Sequence, residues 1–439
     1  KASYSLGTMG HKTMYLADVA IGASGQTFRL LVDTGSPMVI VPGAGCEKRS
    51  RRFDAGSAKP TNRTMSMRFG LGSVSGRVFE DKVCVEMPDG SAQLEEVGFL
   101  QRSAAVQRES RGRAASDGSG QACTSISFLV ADQESDDFAG EPFDGILGLG
   151  LESSSESRTA ASMQRGFSVL SQLVADGALQ STAFALRLSN SGASQLMLGG
   201  ADESSFAGGR AVWVPLSPGL DGAWQFSVED LTLGGKAVNF GGLQVAVDSG
   251  TSLLAADKEL GDWLRAHLLP SSCEAVDQLP KLGLRVQGGS VLSLLPADYV
   301  DREDGECKLA LMPSPLRPES GQRLLLGDSF LRRYVTVYDR QNQRLGFGVA
   351  ADDSYAQELL PDMFPAPPTT VAPRTTEGPP PPEHLDYVRL AYVPSTTPPP
   401  PSAEELQKAH QQADLSSAFD GLGDDLEGSF DKLRASESA

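Results

Sequence analysis

Phe28-Arg-Leu-Leu-Val-Asp-Thr-Gly-Ser36 and Gln244-Val-Ala-Val-Asp-Ser-Gly-Thr-Ser252 are two copies of one design. Each is an apolar run that ends in Asp, a hydroxyl residue, Gly and a second hydroxyl residue. Each is followed later by an apolar pair and a glycine: Ile146-Leu147-Gly148 after the first, Leu325-Leu326-Gly327 after the second. A lone Asp-Thr-Gly says little, because Asp and Gly are common in turns. Two copies in the same strand context, each with its own partner segment, make an internal repeat.

The residue types suit acid–base chemistry. Gly35 and Gly250 are expected to let the chain turn sharply, leaving Asp33 and Asp248 at strand ends. Two carboxylates brought together cannot both ionise cheaply, so one keeps its proton at a pH where the other has lost it. Such a pair is base and acid at once. One member takes a proton from water while the other polarises a carbonyl. Ser36 and Thr251 are placed to bond the outer carboxyl oxygens, and Thr34 and Ser249 to cross-link the two loops. Asp33 and Asp248 are therefore the candidate catalytic residues, with Thr34, Gly35, Ser36, Ser249, Gly250 and Thr251 as support.

Around these motifs the chain reads as β structure. Fourteen short runs, among them Tyr15–Ile21, Met38–Val41, Arg77–Val85, Ser125–Val130, Phe184–Leu188 and Tyr334–Asp339, have strand composition bounded by Gly, Pro, Asn or Asp. Helical patterns are few, the best being Phe167–Asp176 and Lys258–Leu269. Many strands with few helices predict an all-β architecture. Residues 101–122, with Arg102, Arg108, Arg111 and Arg113, and the Ser-rich residues 152–165 read as surface loops.

In these segments the sequence resembles the pepsin-like aspartic endopeptidases, over about residues 14–350. The likeness rests on both Asp motifs and on further ordered matches. These are Tyr15-Leu-Ala-Asp-Val-Ala-Ile-Gly22, Phe143-Asp-Gly-Ile-Leu-Gly-Leu-Gly150, Trp213-Val-Pro-Leu216, Trp224-Gln-Phe-Ser-Val228 and the run from Leu326 to Asp339. The resemblance implies a bilobal pepsin-like acid protease fold of two pseudo-symmetric β lobes around a central cleft. An N-terminal lobe, 1–190, would carry Asp33 and a flap at 67–76, and a C-terminal lobe, 191–350, would carry Asp248. It implies peptide hydrolysis at acidic pH by activated water, with no covalent intermediate and no cofactor. The substrate would be an extended peptide or protein chain lying in the cleft, and the enzyme a monomer. It also implies a leader and an activation pro-segment upstream of the mature N-terminus.

The flap departs from the family. Phe69 stands where Tyr is usual, and Ile40 where Trp is usual, so the polar pair these normally form is missing. Phe69, Gly70 and Leu71, with Ile40, are the flap and substrate-binding candidates, Phe69 serving as an apolar lid and Gly70 and Gly72 giving the hairpin mobility. The competing reading has Phe69 merely packing against Ile40. With the unusual flap and the acidic tail, the same sequence also admits a catalytically weak or inactive peptide-binding protein on this fold.

Five cysteines leave one over. Cys273 and Cys307 match the disulfide that the resemblance implies in the C-terminal lobe. Cys84 and Cys123 flank the arginine-rich loop, where a bridge would clamp the base of a long hairpin. This leaves Cys46 unpaired, because the usual partner of a cysteine at its position is absent. Cys46–Cys84 with Cys123 free is the alternative. Disulfides suit an oxidising compartment, so the expected location is the secretory pathway, outside the cell or in an acidic vacuole- or lysosome-like compartment. Asn62-Arg63-Thr64 is a glycosylation sequon. His11, His267, His384 and His410 are scattered, and no Cys/His cluster suggests a metal site.

The net charge of −18 is unevenly spread. Residues 351–439 hold 16 acidic and 5 basic residues, and 14 of the 27 prolines. Residues 351–401 read as a Pro/Thr-rich linker of polyproline II or disordered character. Residues 402–439 read as an acidic tail with a weak helical stripe at Phe419, Leu422, Leu426, Phe430 and Leu433, open to a partner. The acidic balance argues against nucleic-acid binding, and no apolar run is long enough to span a membrane.

Overall fold

A computed structural model describes residues 13–56, 58–70, 72–86, 91–98, 121–152, 166–189, 194–201, 203–217, 222–303, 305–314 and 322–365. Leu71, most of the two loops expected at 101–122 and 152–165, and the tail from 366 onward lie outside these residues. Of the loop residues that are described, Gln121 and Ala122 begin the strand Gln121–Glu134.

The architecture is all-β, and two repeated units explain it. In the first, strand Gln26–Asp33 runs parallel to Gly145–Gly148, with Leu31 opposite Ile146. Strand Val39–Pro42 then packs antiparallel on the other side of Gly145–Gly148, with Val39 opposite Leu147. In the second, Leu243–Val247 runs parallel to Gln322–Leu326, with Ala246 opposite Leu325. Leu254–Ala256 lies antiparallel on its far side, with Leu254 opposite Leu326. Each central strand is thus flanked on both sides by the chain entering and leaving an Asp motif. Gly145–Gly148 and the Leu324–Leu326 part of the second central strand are buried and apolar throughout.

That arrangement accounts for the apolar-apolar-Gly repeat. A Cβ on Gly148 would lie 2.4 Å from the Met38 amide nitrogen, and one on Gly327 would lie 2.1 Å from the Thr251 carbonyl oxygen. The glycines let the backbone cross directly behind each Asp loop.

The largest sheet has 13 strands and joins the two halves of the chain. Phe184–Arg187 pairs with Val335–Asp339, Ala185 facing Val337. Smaller sheets of five, four and two strands complete the C-terminal half. At one end of the large sheet, Lys59–Phe69 and Gly72–Glu86 form the hairpin that carries the flap candidates, with Phe69 opposite Gly72. Its first strand alternates, so Met65, Met67 and Phe69 face a buried cluster while Asn62 and Thr64 face outward. Cys84 lies opposite Cys123 in the neighbouring strand pair, and the two are bridged. Cys273 is bridged to Cys307. Cys46 is free and buried, its Sγ 3.1 Å from the Ala131 carbonyl oxygen. Burial, then the charge of Glu134, pushes its thiol up to about 11.

The two expected helices form over Val169–Ala175 and Lys258–Leu268. Ser168 and Asp257 cap them by accepting from the backbone N–H of Ser171 and Leu260. The first part of the segment expected to be a linker, residues 351–365, is instead part of the fold. Ala356–Met363 is a helix despite Pro361, and Leu359 and Met363, one turn apart, are fully buried. Asp362 accepts from Lys281 at 2.7 Å and from the Ser293 hydroxyl at 2.8 Å. Asp353 is paired with Arg333, and the Arg210 guanidinium lies 4.1 Å from the Phe364 ring centre. Proline content concealed a short amphipathic stripe that completes the core. No helix among the described residues is long and apolar enough to cross a membrane.

Leu359→Ala removes a side chain from a filled site. The expected loss is about 2–5 kcal/mol of unfolding free energy in urea denaturation.

Candidate active site

Asp33 ends its strand and Asp248 follows directly after its own. The same hydrogen bonds hold each. Asp33 Oδ1 accepts from the Gly35 N–H at 2.8 Å, and Oδ2 from the Ser36 hydroxyl at 2.6 Å. Asp248 Oδ1 accepts from the Gly250 N–H at 2.8 Å, and Oδ2 from the Thr251 hydroxyl at 2.8 Å. Each carboxylate is fixed within its own loop, with Oδ2 on the hydroxyl side.

The glycines show how the two loops meet. A Cβ on Gly35 would lie 2.7 Å from Asp248 Oδ1, and a Cβ on Gly250 would lie 2.7 Å from Asp33 Oδ1. Neither glycine has a positive φ. They are required by space and not, as the sequence suggested, by a sharp turn. Only a residue without a Cβ lets the opposite carboxylate come this close.

A reciprocal cross-link sits behind the carboxylates. The Thr34 N–H donates to Ser249 Oγ at 3.1 Å, and the Ser249 N–H donates to Thr34 Oγ1 at 3.0 Å. The Ser249 hydroxyl then donates to the Val32 carbonyl at 2.7 Å, and the Thr34 hydroxyl to the Val247 carbonyl at 3.4 Å. Thr34 and Ser249 are fully buried, so these groups have no water to fall back on. The arrangement joins residues 215 positions apart.

Asp33 is 5 % exposed. Burial, and after it the charge of Asp248, raises its carboxyl from the ordinary range to about 7, against the lowering effect of the Ser36 and Gly35 hydrogen bonds. The pair therefore holds a proton well above the pH at which an isolated aspartate has lost it.

Residues 14–112 and 118–350 match the family described as "Eukaryotic aspartyl protease". The chain belongs to the eukaryotic aspartyl protease family. Among curated relatives of this family, pepsin II-1 of Oryctolagus cuniculus is 30 % identical over 357 residues, covering 77 % of this chain and 81 % of that protein. Gastricsin of Homo sapiens is 30 % identical over 365 residues, covering 77 % and 81 %. Pepsin A of Bos taurus is 28 % identical over 358 residues, covering 77 % and 85 %.

The flap candidates are divided in their placement. Phe69 is half-buried, its ring centre 5.8 Å from that of Phe138. Gly70 is exposed at the turn, and Leu71 is outside the described residues. Ile40 is 1 % exposed within the cluster on which Phe69 packs, so it fills the core beneath the hairpin and offers no surface to a ligand.

Two supports near the carboxylates were not identified as such from sequence. Trp224 Nε1 donates to the Leu149 carbonyl at 3.0 Å, and the Leu149 N–H donates to the Asp33 carbonyl at 2.8 Å. The Trp224 ring packs edge-on against Tyr338, which stacks on Phe184 at 4.4 Å. The motif around Trp224 was visible in the sequence; its bond to a residue 75 positions earlier was not.

Thr34→Val keeps the shape and removes the hydroxyl, stranding the Ser249 N–H. The expected cost is about 1–3 kcal/mol of stability, measured by chemical denaturation. Thr34→Ser keeps the bond and is expected to lose less than half as much.

Proposed function

We propose that this chain is an aspartic endopeptidase that hydrolyses peptide bonds with water activated by Asp33 and Asp248. One observation carries the reading. Each glycine of the two motifs lies where its Cβ would strike the inner oxygen of the other motif's aspartate. Two inner carboxylate oxygens brought this near each other share one proton. The carboxylate without the proton removes one from water as the water attacks the scissile carbonyl. The protonated partner donates to the carbonyl oxygen, and the resulting tetrahedral diol collapses with proton transfer to the leaving amine. No covalent bond to the protein forms.

The pH dependence follows from Asp33. A carboxyl raised to about 7 is protonated below that pH and ionised above it. Turnover needs one proton on the pair, so activity is present on the acid side and is lost as pH rises through about 7. At the acidic end it is lost when the second carboxylate also takes a proton. This predicts a bell-shaped profile of kcat/KM with an acidic optimum.

The substrate class proposed is an extended peptide or protein segment lying in the cleft. The setting proposed is the secretory pathway, whose oxidising lumen the two disulfides support, with the chain a monomer there or in an acidic compartment fed by it. The acidic tail is proposed as a segment open to a partner.

The absent hydroxyl at Phe69 favours one second reading, a peptide-binding protein of this fold with little turnover. Peptide cleavage assays at acidic pH, with a statine-containing peptide as inhibitor, separate the two. Asp33→Asn and Asp248→Asn are each expected to lower kcat/KM by about 10²–10⁴-fold. Equal hydrolysis by wild type and variants contradicts the proposal. Tight statine binding by a wild-type protein that cleaves nothing supports the second reading.

A further inference from the structure

The flap lacks the polar side chain expected at position 69, yet its second strand is tied down elsewhere. The Ser135 N–H donates to the Ser73 carbonyl at 2.9 Å. The Ser73 N–H donates to Ser135 Oγ at 3.0 Å. Ser73 stands two residues past the hairpin turn. Next to it, Gly72 has φ +140°, and a Cβ there would lie 2.0 Å from Ser135 Oγ. Gly72 thus admits the Ser135 hydroxyl to the flap, a more specific role than mobility.

The anchor is itself held. Ser135 opens the short helix Asp136–Ala139, whose Phe138 touches the Phe69 ring. Arg49, with a side chain only 5 % exposed, pairs with Glu134 at 2.9 Å. It also donates to the carbonyls of Phe138, Glu141 and Phe143 at 2.5, 3.1 and 2.5 Å. Its guanidinium lies 5.5 Å and 5.7 Å from the ring centres of Phe138 and Phe143. On either side, Lys48 pairs with Asp136 and Arg51 with Asp144. A buried guanidinium satisfied this fully is rigid, because moving it strands several polar groups at once.

We propose that Ser135 is a positioning residue of the flap, its hydroxyl bolting the Ser73 backbone so that Phe69 is held in place without the usual polar pair. Arg49 keeps that bolt in register. The bolt acts on substrate through Phe69, and this part of the proposal rests on the protease reading above.

The test uses the full chain. Hydrogen exchange reads the bolt directly, and affinity for a statine-containing peptide with kcat and KM reads its consequence. In Ser135→Ala, exchange over residues 72–76 is expected to rise about tenfold, the loss of one hydrogen bond, while the strand Gln26–Asp33 is unchanged. Statine affinity is expected to fall about tenfold, with kcat/KM falling chiefly through KM. Ser135→Thr keeps the hydroxyl and is expected to restore most of the protection and affinity. Unchanged exchange in Ser135→Ala overturns the proposal whatever the activity. Raised exchange with unchanged statine affinity and KM overturns the positioning role. If exchange rises but wild type neither cleaves nor binds the inhibitor, the bolt stands and the protease reading fails.

Discussion

The reciprocal bond between Thr34 and Ser249 is the constraint on which the site depends. Each backbone N–H is satisfied by the other residue's hydroxyl, and each hydroxyl passes its own proton to a strand carbonyl. A typical buried hydrogen bond adds only about 1 kcal/mol net. The force of this arrangement lies in the alternatives. Any shift of one loop against the other strands several buried groups together, at about 1–3 kcal/mol each. A displacement of an ångström is therefore resisted far more strongly than the bonds' net contribution suggests. Because the two residues sit at the ends of equivalent strands, the link also fixes Asp33 opposite Asp248. Gly35 and Gly250 complete the geometry by leaving no Cβ between the carboxylates.

Local burial governs the chemistry more than overall charge. The chain's formal charge is −18, much of it beyond residue 350. Exposed charges are screened over about 8–10 Å at physiological salt. Asp33 is raised first by its own desolvation and only then by Asp248, both acting within the site. The carboxylates that serve structure have cationic partners instead. Glu134 is paired with Arg49, and Asp298 with Arg333. The two kinds of carboxylate differ in what faces them, not in how deeply they lie.

Much of this was readable in the sequence because it is local and repeated. The two Asp motifs, their partner segments, the strand composition and the two capped helices each occupy a short window. The reason for Gly35 and Gly250 was not readable, since it is a contact with a residue more than 200 positions away. The same holds for Arg49, one of several cations in a basic stretch, whose partners lie 85–94 positions on. Strand register, invisible in spacing, decided between the alternatives for Cys84 by setting it opposite Cys123. At Ala356–Met363 the prolines dominated the reading, and the two buried residues, Leu359 and Met363, were too few to register as a helical period.

The flap follows from the same physics as the dyad. Where a side-chain pair is missing, a backbone strand is held by one hydroxyl, and a buried cation holds the segment bearing that hydroxyl. The account's central claim is that Asp33 and Asp248 act as a single acid–base pair. Carboxyl ¹³C NMR titration of Asp33 tests it most directly, in wild type and in Asp248→Asn. The account predicts titration near pH 7 in wild type and a clear drop when the neighbouring charge is removed. Titration in the ordinary aspartate range near 4, unmoved by Asp248→Asn, would contradict it.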